Sequence, residues 1–386
     1  MSEQFDIIAK TQYGLEDVLA AEIETIGGQD IQTTTRAVKY RGDNAVLYKS
    51  NYLLRTALRV LKPIDTFRIF NDHQLLRKAK RIPWESYFGV DDTFAIDAVT
   101  FSDIFRNSKY IALKTKDAVA DRFREVYGRR PNVDIKEPHV RINVHIADKE
   151  CTISLDSSGH SLDKRGYKLE QTAASINEVL ASGLIALSGR HGTTPFIDPM
   201  CGSGTIAIEA ALKAANIAPG TGTRFGFENW PDFDRPLWQQ VKLEAKSAIR
   251  TPPSTILATD MSPGALEVAT SNARRAGVLD HIVLARQDFL DSAGNNEDET
   301  IIINPPYGER LSPDEDMSEF YGEMGTRLKH FYPGAKAWIL SSNLAALKMV
   351  GLRPTRKIKL YNGKLECRLC GYELYAGSRK GDSQTP

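Results

Sequence analysis

The chain has 386 residues, 41% hydrophobic and 26% charged, with 50 basic and 49 acidic side chains for a net charge of +1. That composition excludes a disordered chain, and the length is a prior for two or three domains. The near-zero total gives no sign of a nucleic-acid partner, which leaves only local clusters of basic residues to supply one.

In chain order, FDIIAKT reads as a strand and GLEDVLAAEIETIG as an amphipathic helix with Leu15, Val18, Leu19 and Ile23 on one face. AVKYRG reads as a strand, and AVLYKSNYLLRTALRVL as a strand followed by a helix. TFAIDAVT reads as a strand, SKYIALKTKDAVADRFREVYG as a long basic helix, and RINVHIADKECTISLDSSG as two alternating strands. This is an α+β pattern of helices and antiparallel strands. After the polar stretch DSSGHSLDKRGYKLEQ the pattern changes. TPFIDPM, TILATDM, HIVLARQD, TIIINPP and AKAWILSS are strands separated by helices such as TIAIEAALKAAN and SPGALEVATSNARRAG. That alternation predicts an α/β domain with a mostly parallel sheet covered on both faces. The tail GSRKGDSQTP is polar and reads as disordered.

No stretch approaches the roughly 18 apolar residues of a membrane span. The start, MSEQFDIIAKTQYG, lacks a basic segment followed by an apolar run. The expectation is a cytoplasmic protein without a membrane partner. Cys151, Cys201, Cys367 and Cys370 are too few for a disulfide scaffold. Cys367-x-x-Cys370 has no second pair to complete a zinc site, so reduced strand cysteines and no metal are expected.

Two motifs carry chemistry. Asp198-Pro199-Met200-Cys201-Gly202-Ser203-Gly204-Thr205 joins an apolar strand to an apolar helix. Its glycines allow a tight turn and close backbone approach to a ligand at the carboxyl ends of parallel strands. It has neither the GxGxxG of a dinucleotide fold nor the Gly-Lys-Ser/Thr of a phosphate loop. Asp260, followed by Met261, ends the second strand and can accept from a ribose diol. Asp288 follows the third strand and can accept from an adenine amino group, with Phe289 beside the ring. Either acid alone is more often a helix cap or loop residue; their placement at the ends of successive strands favours the functional reading.

Asn304-Pro305-Pro306-Tyr307 follows the fourth strand. The lone pair of an exocyclic amino group on a base is delocalised into the ring, which makes it a poor nucleophile. Two acceptors that take its two N–H bonds can aim that lone pair at a methyl donor. The Asn304 oxygen and a nearby backbone carbonyl suit this task. The prolines stiffen the turn, and Tyr307 offers a stacking face. The bland alternative is a rigid turn after a strand.

This order of glycine loop, strand-end acids and NPPY resembles the class I S-adenosylmethionine-dependent methyltransferases. The resemblance implies that Asp198, Pro199, Cys201, Gly202, Gly204 and Thr205 form the cofactor loop. It implies that Asp260 and Met261 lie at the ribose, and Asp288 and Phe289 at the adenine. The helix ASINEVLASGLI would help hold the methionine end. The NPPY motif is shared by adenine N6, guanine N2 and protein glutamine enzymes. The N-terminal half and the segment Lys164-Arg165-Gly166-Tyr167 resemble the THUMP-containing RNA methyltransferases, in particular the large-subunit ribosomal RNA guanine-N2 group. That implies a ferredoxin-like segment over 1–65, a THUMP-like RNA-binding domain over 66–160 and a linker over 161–170. A methyltransferase domain over 171–378 and a disordered tail over 379–386 complete the division. One catalytic domain is expected, with no second methyltransferase unit. Arg106, Lys109, Arg122, Arg129, Arg130 and Arg165 are the candidate RNA contacts. A transfer-RNA guanine-N2 enzyme, a DNA adenine-N6 enzyme and a non-catalytic RNA-binding factor remain as alternatives.

Overall fold

The structure is a computed structural model that describes residues 3–168, 176–190, 192–294, 298–306 and 317–375. It divides into two compact units. Unit 1 comprises Met1–Thr11, Leu19–Lys164 and Gly220–Glu244, and unit 2 comprises Gln12–Val18, Arg165–Pro219 and Ala245–Pro386.

Unit 1 begins with β1 (Phe5–Lys10), α1 (Glu16–Thr25), β2 (Gln29–Thr34), β3 (Ala37–Gly42), α2 (Asn44–Leu53) and β4 (Arg59–Arg68). It continues with α3 (Asp72–Arg81), β5 (Thr93–Phe101), α4 (Ser108–Tyr127), β6 (Asn132–Val133), β7 (Val140–Ala147) and β8 (Glu150–Asp156). All eight strands form one sheet in the order β2-β3-β1-β4-β8-β7-β5-β6, with β4 and β8 joining its two halves. The first half is a βαββαβ unit whose core includes Ile7, Ala9, Leu19, Ile23, Leu47 and Val60. Side-chain caps set the helix starts: Asp43 accepts from Val46 N–H, Asn71 from Gln74 N–H and Asn107 from Tyr110 N–H. Gly128, at φ 72°, closes α4.

The sequence reading of AVLYKSNYLLRTALRVL is corrected here, because the helix comes first and the strand second. The Asp43 cap starts α2, whose buried Val46, Leu47, Ser50 and Asn51 recur at helical spacing. A second difference concerns Gly220–Glu244. The contiguous division assigns it to the catalytic domain, yet it packs within unit 1. Aromatic packing is the reason. Phe227 stacks on Tyr48 at 4.4 Å, Trp238 meets Tyr52 edge-on at 5.2 Å, and the Tyr48 hydroxyl accepts from Asp234 N–H.

Unit 2 contains α5 (Glu178–Leu187), β9 (Phe196–Asp198) and α6 (Thr205–Ala214). Next come α7 (Arg235–Ser247), most of which clusters with unit 1, then β10 (Ile256–Asp260), α8 (Pro263–Arg275) and β11 (Val283–Arg286). The unit ends with β12 (Thr300–Ile303), α9 (Met317–Phe331), β13 (Lys336–Ser341), α10 (Ala346–Met349), β14 (Arg356–Asn362) and β15 (Leu365–Glu373). The sheet order is β11-β10-β9-β12-β13-β15-β14. Strands β9 to β13 are parallel, and β15 is antiparallel between β13 and β14. Chain order reverses at the β9–β12 pair, where such sheets open a ligand crevice at their carboxyl ends. Cys367 and Cys370 are three residues apart on β15 and so point to opposite faces; all four cysteines are free and buried.

Gly325 on α9 tests the packing below the crevice. A Cβ built there would lie 1.8 Å from the Val350 carbonyl oxygen, whereas one at Gly322 meets nothing closer than 3.7 Å. Gly325→Ala is expected to cost about 3 kcal/mol in denaturant unfolding. Gly322→Ala on the same helix is expected to be neutral or stabilising by roughly 0.5–1 kcal/mol.

Candidate active site

The carboxyl ends of β9, β10 and β12 bring Asp198, Asp260 and Asn304 to one edge of the sheet. The loop after β9 is fixed from several sides. Cys201 N–H donates to the Thr259 carbonyl at 2.9 Å, and Gly204 N–H to the Cys201 carbonyl at 2.8 Å. The Thr259 hydroxyl donates to the Pro199 carbonyl at 3.3 Å. Gly202 has φ 53°, with nothing within 4 Å of where a Cβ would stand. Gly204 has φ 78°, and a Cβ there would press to 3.0 Å of Ala269 on α8. The first glycine therefore leaves room on the ligand side, and the second lets α6 start against α8. The buried Thr205 opens α6, with its hydroxyl 3.2 Å from that of Ser203.

Asp260 is oriented by two backbone donors. Its Oδ2 accepts from Gly202 N–H and its Oδ1 from Ser262 N–H, each at 2.9 Å. Each oxygen keeps a lone pair for a further donor, which suits a diol. Asn272 is a functional residue that the sequence did not disclose. Its side-chain amide donates to the Ser203 carbonyl at 3.0 Å and pins the loop from α8. A buried Asn between Ala269 and Ala273 on an apolar helix face was the available signal.

Asp198 is fully buried, and neither carboxylate oxygen has a hydrogen-bond partner among the described residues. Burial raises its pKa to about 8; the nearby Ala207 N–H opposes the shift and the Asp260 charge adds to it. Burial likewise pushes the Cys201 thiol far above its ordinary range, so it is no nucleophile here. On the other side of the crevice, the Asn304 Oδ1 is buried with no partner among the described residues. Pro305 is buried and Pro306 half-buried, while Tyr307 lies outside the described residues.

Asp288 caps a short 3-10 turn, its Oδ1 accepting from Leu290 N–H at 2.9 Å. Met261 is mostly exposed, and its carbonyl accepts from Arg286 Nε. The Phe289 ring does not line an open site. It is 2% exposed and stacks on Tyr332 within the core against α9.

Arg165 is also corrected as an RNA contact. Its side chain is 3% exposed and pairs at 2.5 Å with Glu209 of α6, which is fully buried. Glu209 also accepts from the Tyr167 hydroxyl at 2.9 Å and the Ser182 hydroxyl at 2.8 Å. The buried Arg165 and Tyr167 side chains of the KRGY segment thus tie α5 to α6. Arg122 is held by both carboxylate oxygens of Glu85. Arg129 forms a fork with Asp91 at 2.7 and 2.9 Å. Arg106, Lys109 and Arg130 are exposed. Arg165→Met is expected to destabilise the protein by about 3–5 kcal/mol, because it leaves Glu209 buried without its cation. Unchanged thermal stability with weakened RNA binding would instead mark Arg165 as a surface contact.

An S-adenosylmethionine molecule fits this arrangement. The orphaned Asp198 carboxylate suits a cationic methionine end, the open side of Gly202 suits close approach, and the free lone pairs of Asp260 suit a ribose. Among the described residues no group of three or more His, Cys, Asp or Glu is placed to hold a metal, and no helix is long and apolar enough to cross a membrane.

Comparison with known proteins agrees. Residues 6–61 match the RlmL ferredoxin-like domain, 71–156 the THUMP domain and 165–370 the RMKL-like methyltransferase domain. The chain is 36% identical over 364 residues to slr0064 of Synechocystis sp., named as a candidate RNA methyltransferase, covering 94% of this chain and 95% of that one. It is also 36% identical over 380 residues to the ribosomal RNA large subunit methyltransferase K/L of Photobacterium profundum, covering 97% of this chain and 53% of that protein. The chain thus spans about half the length of that relative. SMU.472, a candidate methyltransferase crystallised with S-adenosylhomocysteine, superposes with a TM-score of 0.87 at 30% identity, over 98% of this chain and all of the other. The chain therefore belongs to the RMKL-like methyltransferases, with a ferredoxin-like and a THUMP domain ahead of an S-adenosylmethionine-dependent catalytic domain.

Proposed function

We propose that the protein methylates the exocyclic N2 amino group of a guanine in RNA, with large-subunit ribosomal RNA as substrate and the cytoplasm as its compartment. The observation that carries this reading is the Asn304 Oδ1: a buried acceptor without a described partner, at the end of β12 beside β9. A buried amide oxygen left unpaired costs about 1–3 kcal/mol unless a ligand completes it. An amino group of a flipped base would do so, its second N–H going to a carbonyl of the diproline turn. The amide oxygen then holds the nitrogen lone pair toward the donor. When bound, the cofactor would supply an electrophilic methyl; as the nitrogen takes it, the sulfur would be released as a neutral thioether and the nitrogen would lose one proton to solvent. Tyr307 would stack on the base. The THUMP match and the RNA named for both curated relatives favour RNA over DNA. Guanine N2 follows from the family resemblance.

Labelled cofactor offered with ribosomal RNA, transfer RNA and DNA, followed by nucleoside analysis, should yield N2-methylguanosine in ribosomal RNA. Labelled N6-methyladenine in DNA with none in RNA would overturn the reading. Asn304→Ala is expected to lower kcat about 10²-fold or more while cofactor binding stays near normal.

Asp198 makes a separate prediction with two signs. Its folded-state pKa of about 8 lies above the ordinary aspartate value of 3.8, so its ionisation opposes folding. The free protein should lose stability as pH rises from about 4 to 8 and level off above that. A cationic ligand group favours the ionised form, so S-adenosylhomocysteine should bind more tightly between pH 6 and 7.5, by up to about tenfold per unit. Asp198→Asn should flatten both dependences while weakening binding. A steeper binding profile in the variant would refute the role.

A further inference from the structure

One end of the unit 1 sheet has exposed rings that the catalytic reading leaves unused. Strands β4, β8, β7 and β5 lie side by side there. The turn between β7 and β8 organises the end: its Lys149 carbonyl accepts from Ile69 N–H at 2.8 Å, and its Asp148 N–H donates to the Phe101 carbonyl at 2.9 Å. These two bonds set Phe70 and Phe101 on either side of one turn. Phe70 is 53% exposed and Phe101 69%. The loop after β5 and the start of α4 add the exposed Ile104 and Tyr110. Exposed apolar groups gathered at one end of a sheet suit a binding surface.

Cations interleave with the rings. The Lys149 ammonium lies 5.6 Å from the Phe70 centroid. That of Lys114 lies 5.4 Å from the Tyr110 centroid and 3.6 Å from Asp72, which also accepts from the Tyr110 hydroxyl. The His145 ring lies 5.8 Å from Phe101, and Arg106 and Lys109 are exposed on the adjoining loop and helix start. Further along α4 the basic residues are matched by acids: Arg122 by Glu85, Arg124 by Asp121, and Arg129, just past its end, by Asp91. Lys80 of α3 likewise meets Glu125.

We propose that this end of the sheet docks an unpaired segment of RNA. Its bases stack on Phe70 and Phe101, and its phosphates meet Lys149, Arg106 and Lys109. Exposed rings accept any base face, and flanking cations follow the backbone. An A-form duplex would present phosphates and 2′-hydroxyls to the cations but no base face to the rings. The proposal rests on the RNA reading above and adds where and in what form the RNA is held.

The test measures binding of the full chain to a labelled 12-nucleotide oligouridine and to a 12-base-pair RNA duplex across a salt series. Phe70→Ala combined with Phe101→Ala should weaken oligouridine binding about tenfold or more, with the salt slope unchanged. Lys149→Ala should instead make the slope shallower by about 0.7. Both should keep wild-type unfolding temperature and S-adenosylhomocysteine affinity, and the aromatic variant should raise KM for ribosomal RNA with kcat near normal. Unchanged oligouridine binding in the aromatic variant overturns the proposal, whatever else the surface binds; so does tighter binding of the duplex. If DNA proves to be the methyl acceptor while oligouridine binding still falls, docking stands and the substrate reading fails. If RNA is methylated with KM unmoved in the variant, docking alone fails.

Discussion

A parallel sheet that reverses its chain order must leave a gap where the reversal occurs, and in unit 2 that gap lies between β9 and β12. Asp198 and Asn304 stand on its two sides, and each carries a buried acceptor with no described partner. Two such groups cost the free protein stability that an all-apolar crevice would not. The surrounding structure offsets this cost by over-determining the position of each. Thr259, Ser262 and Asn272 hold the glycine loop and Asp260 from neighbouring elements, and the buried Arg165–Glu209 pair ties α6 to α5.

Asp260, Asn304 and the glycine loop were legible in the sequence because each follows an apolar strand, and strand ends in such sheets face the crevice. Side-chain partners distant in sequence were not legible. Arg165 in a basic segment reads as a phosphate contact until Glu209, 44 residues away, is seen beside it. Arg122 reads the same way until Glu85 forks onto it. Phe289 follows a site acid, but it also meets Tyr332 of the core, and the core claims the ring. The reversed order of α2 and β4 has a local cause. Tyr48, Tyr52 and Leu53 suit either element, and the Asp43 cap decides.

The two halves show different uses of charge. On α4, Arg122 and Arg124 meet Glu85 and Asp121 at close range, and Lys80 of α3 meets Glu125. At the sheet end the cations stand beside aromatic rings instead, as at Lys149 and Phe70. A near-zero net charge therefore describes the chain poorly, since what a polyanion meets is set by local pairing.

The segment Gly220–Glu244 has a consequence for how this protein can be divided. It leaves the sequence of the catalytic domain, supplies Phe225, Phe227 and Trp238 to the aromatic core of unit 1, and is followed by β10 of unit 2. Gln12–Val18 does the reverse, with Leu15 packed on Gly183 of α5. Neither unit is a continuous stretch of polypeptide. Cutting the chain at residue 165 would part Tyr48 and Tyr52 from Phe225, Phe227, Phe233 and Trp238. The polypeptide passes between the units several times, so neither can be excised as one contiguous fragment.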